Sequence, residues 1–512
     1  MKKIIISLFA AATSLAAGAQ ETYEIANIGT QDLNGTARYV GMGGAMEALG
    51  ADISTMSTNP AGIGLFRRSQ LTGTLGLVAQ QESEGWQSYD KTNVSFDQLG
   101  LVVAMPTGDD SFFNFGFGYR KSRNFNQILS MVDVLDGASQ SKVFYDKMAG
   151  GYITNEDSRT YSQLDVLNHE TLYVGDDGKL FNPVRFANGT ATRFDGYDYE
   201  WHRGASGYIG EYDFNISGNI DNRYYLGFTL GLHDVNYRAN TLYDERMLPN
   251  TAGLETLTFT DRREIDGTGV DVKFGFIFRP VEESPFRIGL YVNSPIWYDL
   301  TSYNYTRMFA NDTEYADPVQ GEQEYAFKTP WKFGVSLGHT IENFIALGAT
   351  YEYADYGTTQ ARIKYPGYTY DTWSDTEPDD AMNASIKSTL KGVHTLKVGA
   401  ELKPSDELSV RMGYNFVSPM YQKDAYRDVV ADSYGTMYSS TVDYTNWKAT
   451  HRFTVGLGYR FSKRMALDAA YQFSAQKGQF LPFPGSDDDN LPYDKDITNK
   501  RNTWQLTMAY TF

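Results

Sequence analysis

Six histidines, at positions 169, 202, 233, 339, 394 and 451, are the residues best suited to acid–base or metal chemistry in this chain. They are scattered, with no His-Glu-x-x-His pattern and no pair at metal-ligand spacing, so no zinc site is expected. His233 falls on the polar side of an alternating stretch, where a hydrogen-bonded role is expected, and spacing marks no serine as its hydrolytic partner. Asp487-Asp488-Asp489-Asn490 has donor types that suit calcium, but a run of like charges reads first as a solvated acidic loop. Gly41-Met42-Gly43-Gly44 has the glycine content of a nucleotide loop but lacks the flanking strand and βαβ unit. Small residues packing tightly explain it better. The chain has no cysteine, which removes thiolate metal sites, cysteine nucleophiles, disulfides and a lipoprotein anchor together. No catalytic residue, metal or cofactor is therefore expected, and the chain does not read as an enzyme.

The elements that position these residues are strands. Trp504, Leu506, Met508, Tyr510 and Phe512 alternate with Gln505, Thr507, Ala509 and Thr511, which puts the large apolar side chains on one face of a strand. Phe453-Val455-Leu457-Tyr459-Phe461, Tyr224-Leu226-Phe228-Leu230-Leu232 and Phe113-Phe115-Phe117-Tyr119 repeat the rule. Strands are expected near 69–80, 95–106, 111–122, 208–218, 222–239, 267–280, 284–303, 325–339, 342–357, 391–403, 406–418, 447–462, 464–477 and 501–512. Short turns alternate with long polar connections at 81–94, 123–207, 240–266, 304–324, 358–390, 419–446 and 478–500. That rhythm predicts an all-β fold: a transmembrane, antiparallel, up-and-down β-barrel of about fourteen strands. A closed barrel leaves no sheet edge for lipid to satisfy. A soluble sandwich also alternates, but the ends and the composition favour the barrel.

Met1-Lys2-Lys3 followed by the apolar Ile4–Ala17 and the small residues Ala17-Gly18-Ala19 reads as a signal peptide over 1–19, cut before Gln20. Loss of Lys2 and Lys3 takes the net charge from −18 to −20, which argues against nucleic acid as a partner. Aromatic residues make up 15% of the chain, and no later stretch holds the roughly 18 apolar residues of a membrane helix. Residues 20–68 precede the first strand and do not alternate; Asp52-Ile53-Ser54 is placed to cap a short helical turn there.

The run ARYVGMGGAMEALGADISTMSTNPAGIG, from Ala37 to Gly64, resembles the hatch of the FadL family of outer-membrane transporters for fatty acids, toluene and other hydrophobic compounds. Gly43 and Gly44 with Ala45, the Ala51–Ser54 step, and Asn59, Pro60, Ala61 and Gly62 carry the likeness; Thr329–Tyr353 and His451–Phe473 resemble the family's paired hairpins. The resemblance implies a hatch over 20–68 inside a barrel over 69–512, passive uptake of a lipophile, and sideways exit at a kinked third strand. On that pattern the third strand is about 111–122, and Gly116 and Gly118 are candidates for the lateral opening, although lumen-facing glycines also simply make room. The terminal Phe512 resembles the signal read by the barrel-assembly machinery. Outer-membrane lipid, lipopolysaccharide and a hydrophobic small molecule are the remaining partners expected.

The chain departs from the family in its largest outer connection, 123–207, which is rich in Tyr, Asp and Asn, with Gln127–Val132 as its one greasy stretch. That places fatty acid as the specific ligand in question. The runner-up functions are an accessory or shuttle for secreted proteins, and a surface receptor for a lipophile or haem.

Overall fold

The computed structural model describes residues 21–155, 158–172, 193–364, 376–485 and 490–512. The signal segment and Asp487-Asp488-Asp489 lie outside the described residues. The strands are β1 (Gln70–Gln81), β2 (Thr92–Pro106), β3 (Phe112–Asn124), β4 (Gln127–Gly137), β5 (Gly196–Ile220), β6 (Tyr224–Met247) and β7 (Thr256–Phe278). They continue as β8 (Arg287–Asn293), β9 (Trp297–Ala310), β10 (Val319–Lys328), β11 (Lys332–Ile341), β12 (Ile345–Asp355) and β13 (Gln360–Ile363). The last are β14 (Glu377–Pro378), β15 (Gly392–Leu402), β16 (Leu408–Val417), β17 (Tyr444–Arg460), β18 (Met465–Leu481) and β19 (Lys495–Thr511). β1 pairs with β19 from Gln70↔Thr511 to Gln81↔Lys500, so the antiparallel sheet closes into a ring. β3/β4, β8/β9, β10/β11 and β12/β13 are interrupted single staves and β14 is a two-residue addition, leaving the expected fourteen.

The alternation read from sequence is the alternation of faces. Leu71, Leu75 and Leu77 of β1 and Trp504, Leu506 and Met508 of β19 are exposed, while Thr72, Thr74, Gln505 and Thr507 between them are buried. Outward apolar and inward polar residues suit a wall between lipid and a polar lumen. Among the described residues no helix is long and apolar enough to cross a membrane.

Strand boundaries depart from the sequence reading in several places, including 304–324, into which β9 and β10 extend, and 478–500, into which β18 and β19 extend. The connection at 240–266 is mostly strand, because β6 runs to Met247 and β7 starts at Thr256. Its outward residues include Asp244, Arg246, Thr258 and Arg262, so the apolar signal stops at the edge of the belt while backbone pairing continues above it. The 123–207 connection likewise contains β4 and the beginning of β5. Finally, the strands expected at 284–303 and 325–339 are each broken, at Ser294-Pro295-Ile296 and Thr329-Pro330-Trp331. Proline has no N–H for a ladder. The break is closed instead by Thr329, whose N–H donates to the Ile296 carbonyl at 3.1 Å and whose Oγ1 accepts from the Ile296 N–H at 2.9 Å.

At the long-loop end, helices at Gln140–Ala149 and Gln163–Thr171 pack with strand tops into an apolar core; its centre includes Leu164, Trp201 and Phe480. The N-terminal segment runs down through the lumen. Its first helix, Thr22–Ile28, lies among the long loops, with Tyr23 stacked on Tyr421 at 5.1 Å. Near Pro60–Leu65 it reaches the short-turn end, and it leaves through Phe66 into β1.

Candidate functional site

Between its ends the N-terminal segment touches opposite walls. The helix at Ala37–Gly41 packs on β16 to β19, and the 3-10 turn at Pro60–Leu65 packs on β3, β5, β6 and β7. Asn59 caps that turn: its Oδ1 accepts from the Ala61 N–H at 3.2 Å, and its Nδ2 donates to the Glu47 carbonyl at 3.0 Å. The Pro60 carbonyl accepts from Ser217 Oγ of β5 at 3.1 Å. A side chain on Gly275 of β7 would place its Cβ 2.0 Å from Asn59 Oδ1 and 2.8 Å from the Ala61 nitrogen, so only glycine allows this approach. Gly62 is pressed on Thr55, and the Ala51 N–H donates to the Gly62 carbonyl at 3.0 Å. Gly43 and Gly44 have φ of +64° and +78°, a region that favours glycine, and Gly43 lies against the Tyr414 backbone. Asp52 caps the 3-10 turn Ile53–Ser57 by accepting from the Ser54 N–H at 2.9 Å. The six motif residues thus shape the segment and seat it on the wall.

Ion pairs complete the seat. Glu47 faces Lys397 at 2.7 Å, Arg38 faces Glu401 at 3.1 Å, and Arg411 bridges Glu401 at 2.6 Å and Asp468 at 2.5 Å. Glu211, His233 and Asp271 offer donor atoms within 4.8 Å of one another. Lys273 Nζ, however, sits 2.9 Å from Glu211, 3.1 Å from Asp213 and 2.8 Å from Asp271, and supplies the positive charge itself. His233 is therefore the hydrogen-bonded lumen residue expected, 3.2 Å from Asp271.

Sequence reasoning missed one chemical grouping. Ser130 Oγ is 2.8 Å from His202 Nδ1, and His202 Nε2 is 2.6 Å from Glu200 Oε1. The row forms because β4 and β5 pair Ser130 with His202, in a region read as loop. It lies on the face opposite Leu129, Trp201 and Arg203, which line the lumen cavity, and Trp86 stacks on the imidazole at 5.6 Å.

The third stave carries the main irregularity of the wall. Gly116 and Gly118 lie in its fully paired part, opposite Val102 and Gly100, and make room for Met56. The β2–β3 ladder stops at Gln98↔Arg120, although β2 continues to Thr92 against β1 and the third stave continues along β5. Registers shift on both sides of this gap, passing over Asp97 in β2 and Ser122 in β3. The N-terminal segment occupies part of it. The Asp32 N–H donates to the Ser122 carbonyl at 2.8 Å, Asp32 Oδ2 accepts from the Asn124 N–H at 3.0 Å, and Asn34 Nδ2 donates to the Lys121 carbonyl at 2.9 Å. Lys121 Nζ donates across the gap to Ser95 Oγ at 2.7 Å.

Beside residues 21–34 of the segment lies a cavity of about 370 Å³. Trp201, Tyr237, Tyr421, Tyr444 and Trp447 line its upper part, and Asn34, Asp97 and Gln127 mark where it meets the gap.

This closed fourteen-stave barrel, filled by its own N-terminal segment, is similar in fold to solved transporter structures. No family model matches the chain, and no curated protein matches it. Among solved structures, it is similar over 94% of its length to 99% of a Pseudomonas aeruginosa FadL homologue, with a TM-score of 0.51 and 13% identity. The Pseudomonas putida toluene transporter TodX matches at a TM-score of 0.50 and 14% identity over 94% of this chain and all of that one. The Ralstonia pickettii toluene transporter TbuX matches at 0.50 and 11%, over 94% and 99% of the two chains. At these identities the likeness is one of fold.

Proposed function

We propose that this chain lets a hydrophobic small molecule pass inward across a Gram-negative outer membrane, without an energy source. The reading rests on one observation: a lumen cavity that carries Trp201, Tyr237, Tyr421, Tyr444 and Trp447 on its wall reaches the gap between β2 and the third stave. The molecule enters among the long loops, rests in the cavity beside the upper part of a hatch formed by residues 20–68, and leaves sideways where the ladder stops. Each buried methylene gains about 0.8 kcal/mol over water, so apolar sites in series draw a lipophile past the lipopolysaccharide layer. In this reading the opening lies at Asp97 and Lys121–Asn126, further along the stave than Gly116 and Gly118, and the Asp32–Asn34 contacts hold it shut. The wall meets membrane lipid, and Phe512 serves recognition by the assembly machinery.

The chain's lack of cysteine allows a clean test. Ser95→Cys and Lys121→Cys are introduced together and joined by a bifunctional, reducible thiosulfonate that spans the gap. Uptake of labelled toluene and laurate by producing cells should fall on cross-linking and return on reduction. Uptake that is indifferent to the cross-link defeats the lateral route. Uptake equal to that of cells lacking the protein, with a secreted protein co-purifying instead, favours the shuttle reading.

A further inference from the structure

The cavity floor holds more positive charge than its neighbours neutralise. Arg123 of β3, Arg452 of β17 and Arg501 of β19 converge on one carboxylate, that of Asp32. Asp32 Oδ1 is 3.2 Å from Arg123 Nη1 and 3.9 Å from Arg452 Nη2. The other partners of the three guanidiniums are neutral: Arg123 lies over the Phe125 ring, 5.7 Å from its centroid, and the remaining contacts are with neutral oxygens. Arg123 Nη2 donates to Asn27 Oδ1 at 3.1 Å, Arg452 Nη1 to Asn415 Oδ1 at 2.9 Å and Arg501 Nη1 to the Asn124 carbonyl at 3.2 Å. The Nε atoms of Arg123 and Arg501 are buried without a hydrogen-bond partner. Higher in the cavity, basic groups have acidic partners, as Arg203 has Asp443 at 2.8 Å and Arg263 has Glu24.

A guanidinium stays protonated in proteins, so three of them around one carboxylate leave two positive charges uncompensated. Holding unpaired charge away from water is costly, and an incoming group with two negative charges removes that cost. Phe125 and Trp447 line the same cavity and offer apolar surface to whatever carries the charge. We infer that the cavity selects an amphiphile with a dianionic head, a phosphomonoester or dicarboxylate, seated on Arg123, Arg452 and Arg501 with its apolar body along the aromatic wall. This deepens the proposed transport of a lipophile and rests on it.

Calorimetric titration of the full chain in non-ionic detergent at pH 8, with decyl phosphate, decanoate, decanol and inorganic phosphate, separates the cases. A phosphomonoester is doubly charged there, its second pKa being about 6. Decyl phosphate should bind about tenfold or more tighter than decanoate, as an added charge-assisted contact gives. Arg501→Gln and Arg452→Gln should each weaken decyl phosphate about tenfold while leaving decanol unchanged; unchanged binding of decanol also shows that the variants are folded. Equal affinity for decanoate, or indifference to both substitutions, overturns the inference and leaves lipophile transport standing. Inorganic phosphate binding as tightly as decyl phosphate overturns the amphiphile and leaves a free-anion site. Failure of every chain compound, decanol included, overturns both readings.

Discussion

Glu47 of the N-terminal segment and Lys397 of β15 form a buried ion pair of 2.7 Å. Around it, Glu47 also accepts from Tyr39 at 3.1 Å and from Thr350 of β12 at 2.7 Å. One carboxylate thus ties the segment to itself and to two staves. Its neighbour Asn59 binds the Glu47 backbone carbonyl, which links this seat to the turn at the opposite wall.

Removing one partner of that pair strands the other. Lys397→Met should cost about 3–5 kcal/mol of seating energy, seen as a lower thermal midpoint and noisy ion conductance in planar bilayers. The double variant Glu47→Gln/Lys397→Met should recover much of the loss. Quiet, wild-type bilayers from the single variant would show that the pair does not hold the segment.

Two lumen glycines should respond unequally to alanine. At Gly275 a new Cβ meets Asn59 Oδ1 at 2.0 Å and the backbone of Ala61, so the turn itself must move. At Gly116 its one contact under 3.0 Å is the tip of Met56, 2.5 Å from Cε, which can swing away, with Asn215 Cβ next at 3.3 Å. Gly275→Ala should therefore lose about 1–3 kcal/mol and expose the N-terminal segment to protease, while Gly116→Ala stays near wild type. Proteolysis patterns and midpoints of heat-induced unfolding on gels provide the comparison.

Asn59→Ala removes the cap of the Pro60–Leu65 turn and the bond to the Glu47 carbonyl together. The expected loss is about 1–3 kcal/mol, with faster hydrogen exchange confined to residues near 47 and 59–65. Exchange that speeds up throughout the barrel would instead mark a general folding defect.

The outer cap should weaken as pH rises through the weakly acidic range. Glu245 lies near the top of β6, beyond the apolar belt, and burial pushes its carboxyl up to about 7 against bonds from Ser139, Tyr243 and the Gln140 N–H. The folded chain then keeps a proton that the unfolded chain releases above about 4.5. Stability is fullest below that value, declines to about pH 7, and is level beyond. Glu245→Gln should flatten the profile, measured as protection of residues 139–149 and 196–247 from exchange at pH 5 and pH 8. A wild-type cap that gains protection with pH would contradict this account.

Much of the barrel was legible in the chain because lipid outside and polar lumen inside impose a strict period of two on each stave. Tyr224–Leu232 and Trp504–Phe512 show it at sight, and both lie in paired strands. The same cause explains the misses. Above the belt both faces of β5, β6 and β7 meet water or loops, the period loses its contrast, and paired strand reads as loop. Thus Ser130 and His202 face each other only because β4 and β5 set that register. Asn59-Pro60-Ala61-Gly62 was recognisable as a motif, since a cap, a fixed φ and small residues are local properties. That Gly275 must accommodate it was decided by the closed ring, which brings residues 59 and 275 together. The cavity's character was decided in the same way: Arg123, Arg452 and Arg501 are unremarkable lumen-side residues one at a time. Three distant staves and the returning N-terminal segment bring them around Asp32. Sequence determined which face each residue takes, because that depends on its immediate neighbours. Tertiary structure alone decided depth along the barrel and partners across it, because these depend on ring closure and on the path of the segment inside.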